Sequence, residues 1–293
     1  MNNMSIPKKK NNPYMFFVIP LYIFTILFVL SPMVYILILS FLSIDDNKNI
    51  ILKLSLENFA NLFKPIYLKT FWESIKLAFI STFFVCIIGY PVGYFMSRLS
   101  NKYKNICIML IMIPFWTNSL IRLYGWISVF RANGTLDNIL MFFGITDEPL
   151  KALYTYPAVV VGMVYALLPF MIFSVYSSAE KLDWSLMEAS RDLGASPLKA
   201  FFTVAFKLTL PGLLSGVILT FVPSMGLFFI ADLLGGNKIV LVGTLIQEQL
   251  LSANNAPFAA ALAIALLILT SLMIFGYKKL FKTKDLEGVV WKN

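Results

Sequence analysis

Asp232 is the acidic residue best placed to take part in chemistry within the apolar part of the sequence. It ends a long apolar segment that has no other charged residue. An ionisable group in such a segment is costly to keep and is therefore a functional candidate. A carboxylate there could attract the ammonium group of an organic cation. The rings of Trp116, Tyr124 and Trp126, on another apolar segment, could add cation–π contacts of about 0.5–2 kcal/mol.

Arg122 shares that other segment with Trp116 and Asn118 and is its one charged residue. A guanidinium repels a cation, so a structural or gating role suits Arg122. Asn118 is a polar residue that could line a substrate pathway. Two simpler interpretations stay open. Asp232 and Arg122 could pair and hold two segments together, or Asp232 could sit in interfacial water. Aromatic residues are also common at membrane interfaces for reasons unrelated to ligands.

The sequence lacks the residues of familiar catalytic sites. It has no histidine, which is the commonest proton shuttle, and no evident carboxylate pair or nucleophile with a base. It also has no G-x-x-x-x-G-K-[ST] run, so it cannot cradle nucleotide phosphates in a P-loop. Cys86 and Cys107 fall in or beside apolar segments and are best interpreted as packing residues. We expect no catalytic residue, no metal site and no cofactor on this chain. If the chain drives uphill transport of a solute, the energy has to come from a partner or an ion gradient.

The composition is that of a membrane protein. Of 293 residues, 59% are hydrophobic and 13% are charged, too few to cover a water-soluble domain of this length. A helix needs about 20 apolar residues to cross the hydrocarbon of a bilayer. The sequence therefore predicts an all-α polytopic membrane protein with six transmembrane helices, which we place at residues 14–42, 70–96, 106–129, 156–176, 210–231 and 257–277. The first is longer than the apolar region of a signal peptide, and no small-residue cleavage pattern follows it, so we interpret it as a retained span.

The basic residues are distributed unequally between the two sides that six spans define. Fifteen lie in the N-terminal tail, the 97–105 and 177–209 loops and the C-terminal tail, against seven on the opposite side. An excess of Lys and Arg marks the cytoplasmic side, so both termini are predicted to lie in the cytoplasm. The net charge of +9 is thus a topology signal and argues little for a nucleic-acid partner.

Each of the first five predicted spans contains a proline. Membrane helices tolerate proline because neighbouring groups satisfy the freed backbone. These residues could be ordinary kinks, or they could let the bundle flex around a pathway. The structural or gating candidates are Pro114, Pro169 and Pro223, with Pro32 and Pro91 on the first two spans.

A polar module, residues 183–212, interrupts the apolar sequence on the predicted cytoplasmic side. Asp183 is a plausible N-cap for a helix beginning at Trp184, and Gly194 suits the left-handed position that ends it. Ser196-Pro197 then predicts a second short helix, because serine caps well and proline is favoured at the first helical position. Pro211 is expected to open the fifth span. Apolar faces on both short helices would be covered either by a protein partner or by the membrane and the bundle itself.

The predicted external segment 43–69 could hold a short interfacial helix. Leu52, Leu56, Phe59 and Phe63 are spaced as on one helical face.

The polar module resembles the EAA loop of the permeases of ABC importers. Glu188-Ala189-Ser190, followed by Gly194, matches its Glu-Ala-Ala, three residues, Gly pattern, with serine in place of the second alanine. The family often has a proline where this chain has Lys207, and here the first proline comes later, at Pro211. The resemblance implies the six-span type I (MetI-like) fold. It also implies a coupling helix that docks into an ATPase subunit, with these coupling residues: Glu188, Ala189, Ser190, Asp192, Gly194, Ala195 and Pro197.

Other runs are similar to the spermidine/putrescine permeases of this family. They are Pro114–Arg122, Leu168–Phe170, Ser224–Phe228 and Asp232–Gly236. The resemblance implies a bacterial cytoplasmic (inner) membrane location, a homologous second permease subunit, two ATPase subunits that hold ATP and Mg²⁺, and an external polyamine-binding protein. A polyamine would suit a site at Asp232, because it is a flexible polycation with apolar methylene stems. Importers of another organic cation, an amino acid or a metal complex, and less readily a stand-alone secondary transporter, remain alternatives.

These expectations divide the chain into a cytoplasmic tail (1–13), a first transmembrane helix (14–42) and an external loop (43–69). A five-helix transport core (70–277) follows, with a cytoplasmic coupling loop (179–208) inside it. The chain then ends in a second cytoplasmic tail (278–293).

Overall fold

The computed structural model describes residues 14–280 except residues 46 and 237, with the side chains of 14–17, 278 and 280 left aside. The first predicted tail and most of the second lie outside the described residues. Within them the chain is mostly helical, as predicted, with one small two-stranded sheet.

Five helices of the described chain are long and apolar enough to cross a membrane. A bent pair of helices counts as one further span, which gives up to six. In chain order we call them the first span (Val18–Ser40), the second (Pro65–Ser97), the third, which is the bent pair, the fourth (Tyr156–Ala179), the fifth (Pro197–Gly226) and the sixth (Ala256–Tyr277).

The third span is not the continuous helix that its apolar run predicted. Its two helices are Asn101–Trp116 and Ser119–Phe130, and the angle between the first helix and the stretch Ser119–Phe142 is 93°. The break has a local cause. The Asn118 side chain accepts a hydrogen bond from Leu120 N (2.8 Å) and so caps a new helix, while Thr117 is extended (ψ 152°). Asn and Thr favour such caps over helix interiors.

The fourth span is central to the bundle. Half of its most apolar stretch is buried against the rest of the chain, compared with 11% for that of the first span. The fourth span packs against the second and fifth spans. The backbones approach closely at two glycines. A Cβ atom at Gly93 would lie 2.6 Å from the carbonyl oxygen of Ile172, and one at Gly212 would lie 2.7 Å from that of Ser174. Small residues at helix crossings permit this close packing.

Two buried clusters occupy opposite ends of the fourth span. Near its first residues, Val159 and Met163 pack with Leu77, Ile230 and Leu234. Near its last residues, Val175 and Ala179 pack with side chains of the second and fifth spans. The 24 residues of this helix extend over about 36 Å at 1.5 Å per residue. The two clusters occupy the two halves of this length and meet near its middle, where Val164 packs against both.

The segment after the first span contains the predicted short helix, which begins later than expected because a hairpin precedes it. Strands β1 (Leu42–Ile44) and β2 (Ile50–Leu54) pair antiparallel, and a helix at Glu57–Leu62 follows. Leu52 therefore lies on a strand and is 89% exposed. The β-branched pair at the start of β2 favours a strand. Asn58 Nδ2 donates to the carbonyl oxygens of Ser40 (3.1 Å) and Leu42 (2.8 Å) and ties the short helix to the hairpin.

The fifth apolar run also splits, because its helix ends at Gly226 and a new one begins after Leu227 (φ −78°, ψ 57°). Asp232 belongs to this second, shorter helix.

The remaining helices of the described chain have the following bounds. The first span comprises Tyr14–Phe24, the π-helical turn Thr25–Leu30 and Ser31–Ser40, and Thr135–Phe142 follows the third span. Towards the end lie Phe228–Gly235, Val242–Gln247, the π-helical turn Glu248–Ser252 and Ala256–Leu280.

Candidate functional site

The first helix of the polar module is formed by local chemistry close to that predicted. It runs from Ser185 to Asp192, one residue later than expected, and Ser185 N donates to Asp183 Oδ1 (3.0 Å). Hydrogen bonds from Ser185 hold the pKa of Asp183 below its usual range. At the other end Gly194 has φ +86°. Its N–H donates to Arg191 O (2.9 Å), and Ala195 N donates to Ser190 O (3.1 Å), which is the hydrogen-bond pattern of a Schellman C-cap.

The second helix of the module differs from the prediction, because it does not end before the fifth span. Ser196 Oγ accepts from Lys199 N (3.3 Å), and Pro197 is the first helical residue, as expected. The helix then continues through a π-helical turn, Phe201–Ala205, into Phe206–Gly226. Pro211 lies inside this helix, since a proline kink is tolerated where neighbouring spans pack closely. The predicted coupling loop 179–208 therefore overlaps the fifth span, and the module is joined to that span without a flexible linker.

The module carries a small cleft and exposed apolar side chains. The cleft has a volume of about 360 Å³ and is lined by Glu188, Arg191, Asp192, Ala195 and Pro197. Ala189 is exposed and Ser190 is half-buried beside it.

Leu193 is 90% exposed and Leu198 is 73% exposed, although both lie next to the charged cleft. A cleft with charged and apolar residues around it is a surface suited to a protein partner.

An aromatic cluster joins the module to the second span. It comprises Tyr90, Tyr94, Trp184, Phe201 and Phe206, with ring centroids of neighbouring members 5.2–6.4 Å apart. Offset and edge-to-face pairs at these distances are favourable beyond their burial.

Two polar contacts support the same connection. The Arg98 guanidinium lies 4.8 Å from the centre of the Trp184 ring. The hydroxyls of Tyr90 and Thr209 are 2.8 Å apart and link the second span to the fifth. The polar module is therefore packed on the spans rather than extended from them.

Glu180, just after the fourth span, connects that span to the first helix of the bent pair. It accepts hydrogen bonds from Tyr176 Oη (2.6 Å) and Lys104 Nζ (2.9 Å). The Tyr176 hydroxyl and the Lys104 ammonium hold the pKa of Glu180 below its usual range. Sequence analysis missed this contact, because Lys104 and Glu180 are 76 residues apart.

A larger cleft, which we call the Asp232 cleft, lies at the other end of the fourth span. Its volume is about 570 Å³, and its lining includes Tyr124, Tyr154, Asp232, Gly236 and Lys238. Asp232 Oδ1 accepts a hydrogen bond from Thr244 Oγ1 (3.1 Å). Burial raises the pKa of the Asp232 carboxyl, against the opposite effect of this hydrogen bond.

Of the four other predicted pathway residues, the structure brings Tyr124 to Asp232. Trp116 is 79% exposed and does not line the cleft. Asn118 caps the second helix of the bent pair, as described above. Trp126 packs in the buried cluster, stacked on Phe130 (5.0 Å) and edge-on to Tyr165 (5.5 Å).

Arg122 contacts aromatic rings. Its guanidinium lies 5.7 Å from the ring centres of both Phe115 and Tyr165. Within the described chain its Nε has no hydrogen-bond acceptor, and it forms no ion pair with Asp232. The simpler interpretation in which these two residues pair is therefore wrong for the described structure.

The three prolines proposed as gating residues lie inside helices. Pro114 and Pro223 are each in the last turn before a break, and Pro169 is within the fourth span.

Five lining residues of the Asp232 cleft were not among the predicted pathway residues: Ile127, Tyr154, Leu233, Gly236 and Lys238. Tyr154, Gly236 and Lys238 come from loops whose positions depend on tertiary contacts, so spacing gave no signal for them. In the described residues no three His, Cys, Asp or Glu side chains come together as a metal site would require.

The sequence is similar to those of known membrane transport proteins. A family model described as "Binding-protein-dependent transport system inner membrane component" matches residues 85–282. The spermidine/putrescine transport system permease protein PotB of Haemophilus influenzae is 46% identical over 194 residues, covering 66% of this chain and 68% of the relative. PotB of Escherichia coli K12 is 44% identical over 191 residues, covering 65% and 70%.

Two solved structures share the fold. A bacterial alginate ABC transporter, in complex with its alginate pentasaccharide-bound periplasmic protein, superposes with a TM-score of 0.74 at 13% identity, covering 91% of this chain and 92% of that one. The inward-facing MetNI methionine ABC transporter superposes with a TM-score of 0.55 at 21% identity, covering 74% and 94%. At these identities the likeness is one of fold.

Proposed function

The chain belongs to the family of binding-protein-dependent transport system inner membrane components, and from that premise we propose that it is the permease subunit of an ATP-driven importer of the polyamines spermidine and putrescine. It is a multi-pass inner-membrane transport component with the type I importer fold. The proposal concerns its substrate, its partners and the roles of its two clefts. Family membership argues against a stand-alone secondary transporter.

The observation that carries the proposal is the placement of the Asp232 cleft and an EAA-like module at opposite ends of one central span. The Asp232 cleft offers a half-buried carboxylate and tyrosine rings, a combination that attracts an ammonium group. The identity to PotB proteins supports a polyamine as the cation. In this proposal Asp232 and Tyr124 contact substrate on the external side.

The polar module would serve as the docking surface for an ATPase subunit. Its exposed Leu193 and Leu198, next to the cleft at Glu188, suit insertion into a groove on a partner. Because the module continues into the fifth span and packs on the second, a movement of the ATPase would be transmitted to both. Such rigid-body transmission is a common form of switching between two states.

The partners follow from this assignment. We propose a second, homologous permease subunit, two ATPase subunits that bind ATP and Mg²⁺, and an external polyamine-binding protein. The ATP would be bound by those subunits, since the sequence of this chain has no P-loop, and we propose that the permease itself needs no cofactor.

One observation favours a second candidate substrate. Lys238 lines the same cleft as Asp232, and a carboxylate with an ammonium nearby would suit a zwitterion such as an amino acid. A polyamine would instead be repelled by Lys238. The two candidates therefore differ in the effect of removing this lysine: Lys238→Met should favour a polycation and impair a zwitterion.

The function is tested by co-expression with the neighbouring gene products, purification in nanodiscs and reconstitution in proteoliposomes. We expect the chain to co-purify with an ATPase whose turnover rises with spermidine-loaded, but not empty, binding protein. ATP-dependent uptake of labelled spermidine should be reduced by unlabelled putrescine and unaffected by a panel of amino acids. Uptake without ATP by the chain alone would contradict the importer, and competition by an amino acid would favour the second substrate.

A further inference from the structure

We propose that Tyr154 is a specificity-determining residue, whose ring forms the aromatic wall against which a substrate ammonium is held beside Asp232. This inference rests on the proposed function, because it assumes that the substrate carries an ammonium group. It assigns a role to a residue that motif and spacing did not reveal.

Tyr154 has a backbone conformation that a bulky residue rarely adopts. Its φ is +63°, in the left-handed region, and Lys151 three residues earlier has φ +49°. Such residues persist where their surroundings determine them, and they concentrate at functional sites. Here the surroundings are backbone hydrogen bonds: Tyr154 N donates to Leu234 O (2.9 Å) and Leu153 N donates to Phe130 O (3.0 Å). These bonds hold the residue between the end of the third span, at Phe130, and the helix of Asp232.

The loop before Tyr154 is fixed from its other end by a buried carboxylate. Asp137 is 1% exposed and accepts hydrogen bonds from Asn133 N (2.9 Å) and Leu150 N (3.1 Å). Buried polar groups with satisfied partners make a segment rigid. The ring of Tyr154 is therefore presented by a constrained loop.

Gly236 forms the surface on which the ring rests. A Cβ atom at this position would lie 2.5 Å from Cδ1 of Tyr154, and the glycine itself has φ +59°. Any side chain here would displace the ring. Tyr154 nevertheless remains 48% exposed and lines the cleft, so packing alone does not account for its position.

The cleft chemistry explains what the ring would do. Asp232 supplies negative charge, while Lys238 supplies a competing positive charge in the same space. An ammonium group is attracted both to a carboxylate and to the face of an aromatic ring. A ring beside Asp232 would thus select for ammonium groups.

The test varies the electrostatics of the ring while keeping its shape. Phenylalanine, 4-fluorophenylalanine and 3,4,5-trifluorophenylalanine are introduced at position 154. The two fluorinated residues are also introduced at exposed Phe142, which does not line the cleft and whose own phenylalanine is the reference. Tyr154→Asn is added because asparagine tolerates the left-handed backbone but lacks the ring. The full complex is reconstituted, and spermidine uptake is measured against the concentration of loaded binding protein.

We expect Tyr154→Phe to retain uptake, and the maximal rate to fall about two- to fivefold across the fluorinated series, as cation–π contacts weaken. The half-saturating concentration of binding protein should not change, and the Phe142 series should be flat. Tyr154→Asn should lose at least as much as the trifluorinated variant.

Equal maximal rates across the series at position 154 would overturn the inference and leave the proposed function intact. A change confined to the half-saturating concentration would also overturn it, because the ring would then contact the binding protein. Absence of spermidine uptake by the unmodified complex would overturn both.

Discussion

Asp232 combines burial, an incomplete set of hydrogen bonds and an open cleft. Of the contacts among described residues, Thr244 provides its one side-chain hydrogen bond, whereas a carboxylate has room for about four. A half-buried carboxylate with unused acceptor sites is costly to maintain. That cost is offset if the group serves to bind a cation.

Replacement of Asp232 by asparagine keeps the shape of the side chain and removes its charge. A hydrogen bond to a charged group is worth about 1.5–3 kcal/mol, so uptake of labelled spermidine by the reconstituted complex should fall about tenfold or more. Asp147→Asn is the matched control, since Asp147 is exposed on the same predicted side and does not line the cleft. Equal uptake by the two variants would contradict a role for Asp232 in binding.

The pH dependence of uptake checks the same assignment independently. Burial raises the pKa of Asp232, so on acidification it takes up a proton at a higher pH than an ordinary aspartate. The rate of uptake should be maximal when the external pH is above this pKa, and it should decline as the pH falls through it. The Asp232→Asn complex should lack this decline, while a decline shared by both complexes would assign it to another group.

At the scale of elements, the turn at Gly194 determines how the two helices of the polar module are arranged. An alanine Cβ at this position would meet no atom within 4 Å. The cost of Gly194→Ala therefore comes from the backbone, about 1–2 kcal/mol for a left-handed residue. Proline cannot adopt φ +86° at all, because its ring holds φ near −65°.

We expect Gly194→Ala to raise the number of ATP molecules hydrolysed per spermidine imported severalfold, and Gly194→Pro to abolish coupled uptake. Both variants should still insert in the membrane, which is checked by their yield in purified nanodiscs. Gly125→Ala is the control, because Gly125 lies in a helix where a Cβ also meets no atom. Normal coupling in Gly194→Pro would show that the turn is not required.

The hydrogen bond between Tyr90 and Thr209 is expected to hold the second and fifth spans together beneath the module. Thr209 Oγ1 donates to Ala205 O (2.8 Å), so the Tyr90 hydroxyl is the donor to Thr209. A buried hydrogen bond of this kind contributes about 0.5–1.5 kcal/mol. Tyr90→Phe and Thr209→Val should each lower the free energy of unfolding, measured by denaturation in detergent.

The double variant should lose less than the sum of the two single losses, because both remove the same bond. Thr270→Val serves as the control, since Thr270 bonds only within its own helix. Additive losses in Tyr90→Phe and Thr209→Val would indicate that the two hydroxyls act separately.

At the scale of the whole molecule, the bilayer explains which features could be predicted from sequence. Its thickness sets the length of an apolar helix, so the long spans follow from composition and length alone. The caps at Gly194 and Ser196 also follow, because a left-handed turn and a helix start select particular residues locally.

The features that could not be predicted depend on contacts between residues far apart in sequence, or on a side chain that caps a new helix where the apolar run would continue the old one. Glu180 meets Lys104 only after the bundle has formed. Tyr154 reaches the cleft through a bond to Leu234. The bend in the third span arises because Asn118 caps a new helix within an otherwise apolar run. In the Asp232 cleft, two of the lining residues named here, Asp232 and Tyr124, were therefore anticipated.

At the scale of the whole molecule, we expect the ATPase to dock on the polar module. A few exposed apolar residues commonly contribute most of the energy of such an interface, at about 2 kcal/mol or more each. Leu193 is 90% exposed, and a surface substitution usually changes stability by less than about 0.5 kcal/mol. Leu193→Ser should therefore leave the permease folded while it weakens binding, and a loss of 2 kcal/mol corresponds to more than a tenfold change in affinity.

The measurement is the fraction of ATPase that remains bound to the purified permease during size-exclusion chromatography in nanodiscs, at a fixed protein concentration. We expect a clear loss for Leu193→Ser and a greater one when Leu198→Ser is added. Phe142→Ser is the control, because Phe142 is about as exposed (85%) but belongs to the helix Thr135–Phe142, on the predicted external side. Because the two substitutions remove apolar surface at opposite ends of the bundle, a selective effect of Leu193→Ser identifies the end at which the ATPase binds. Full retention of the ATPase in the double variant would mean that the apolar side chains of the module face the membrane or a different partner.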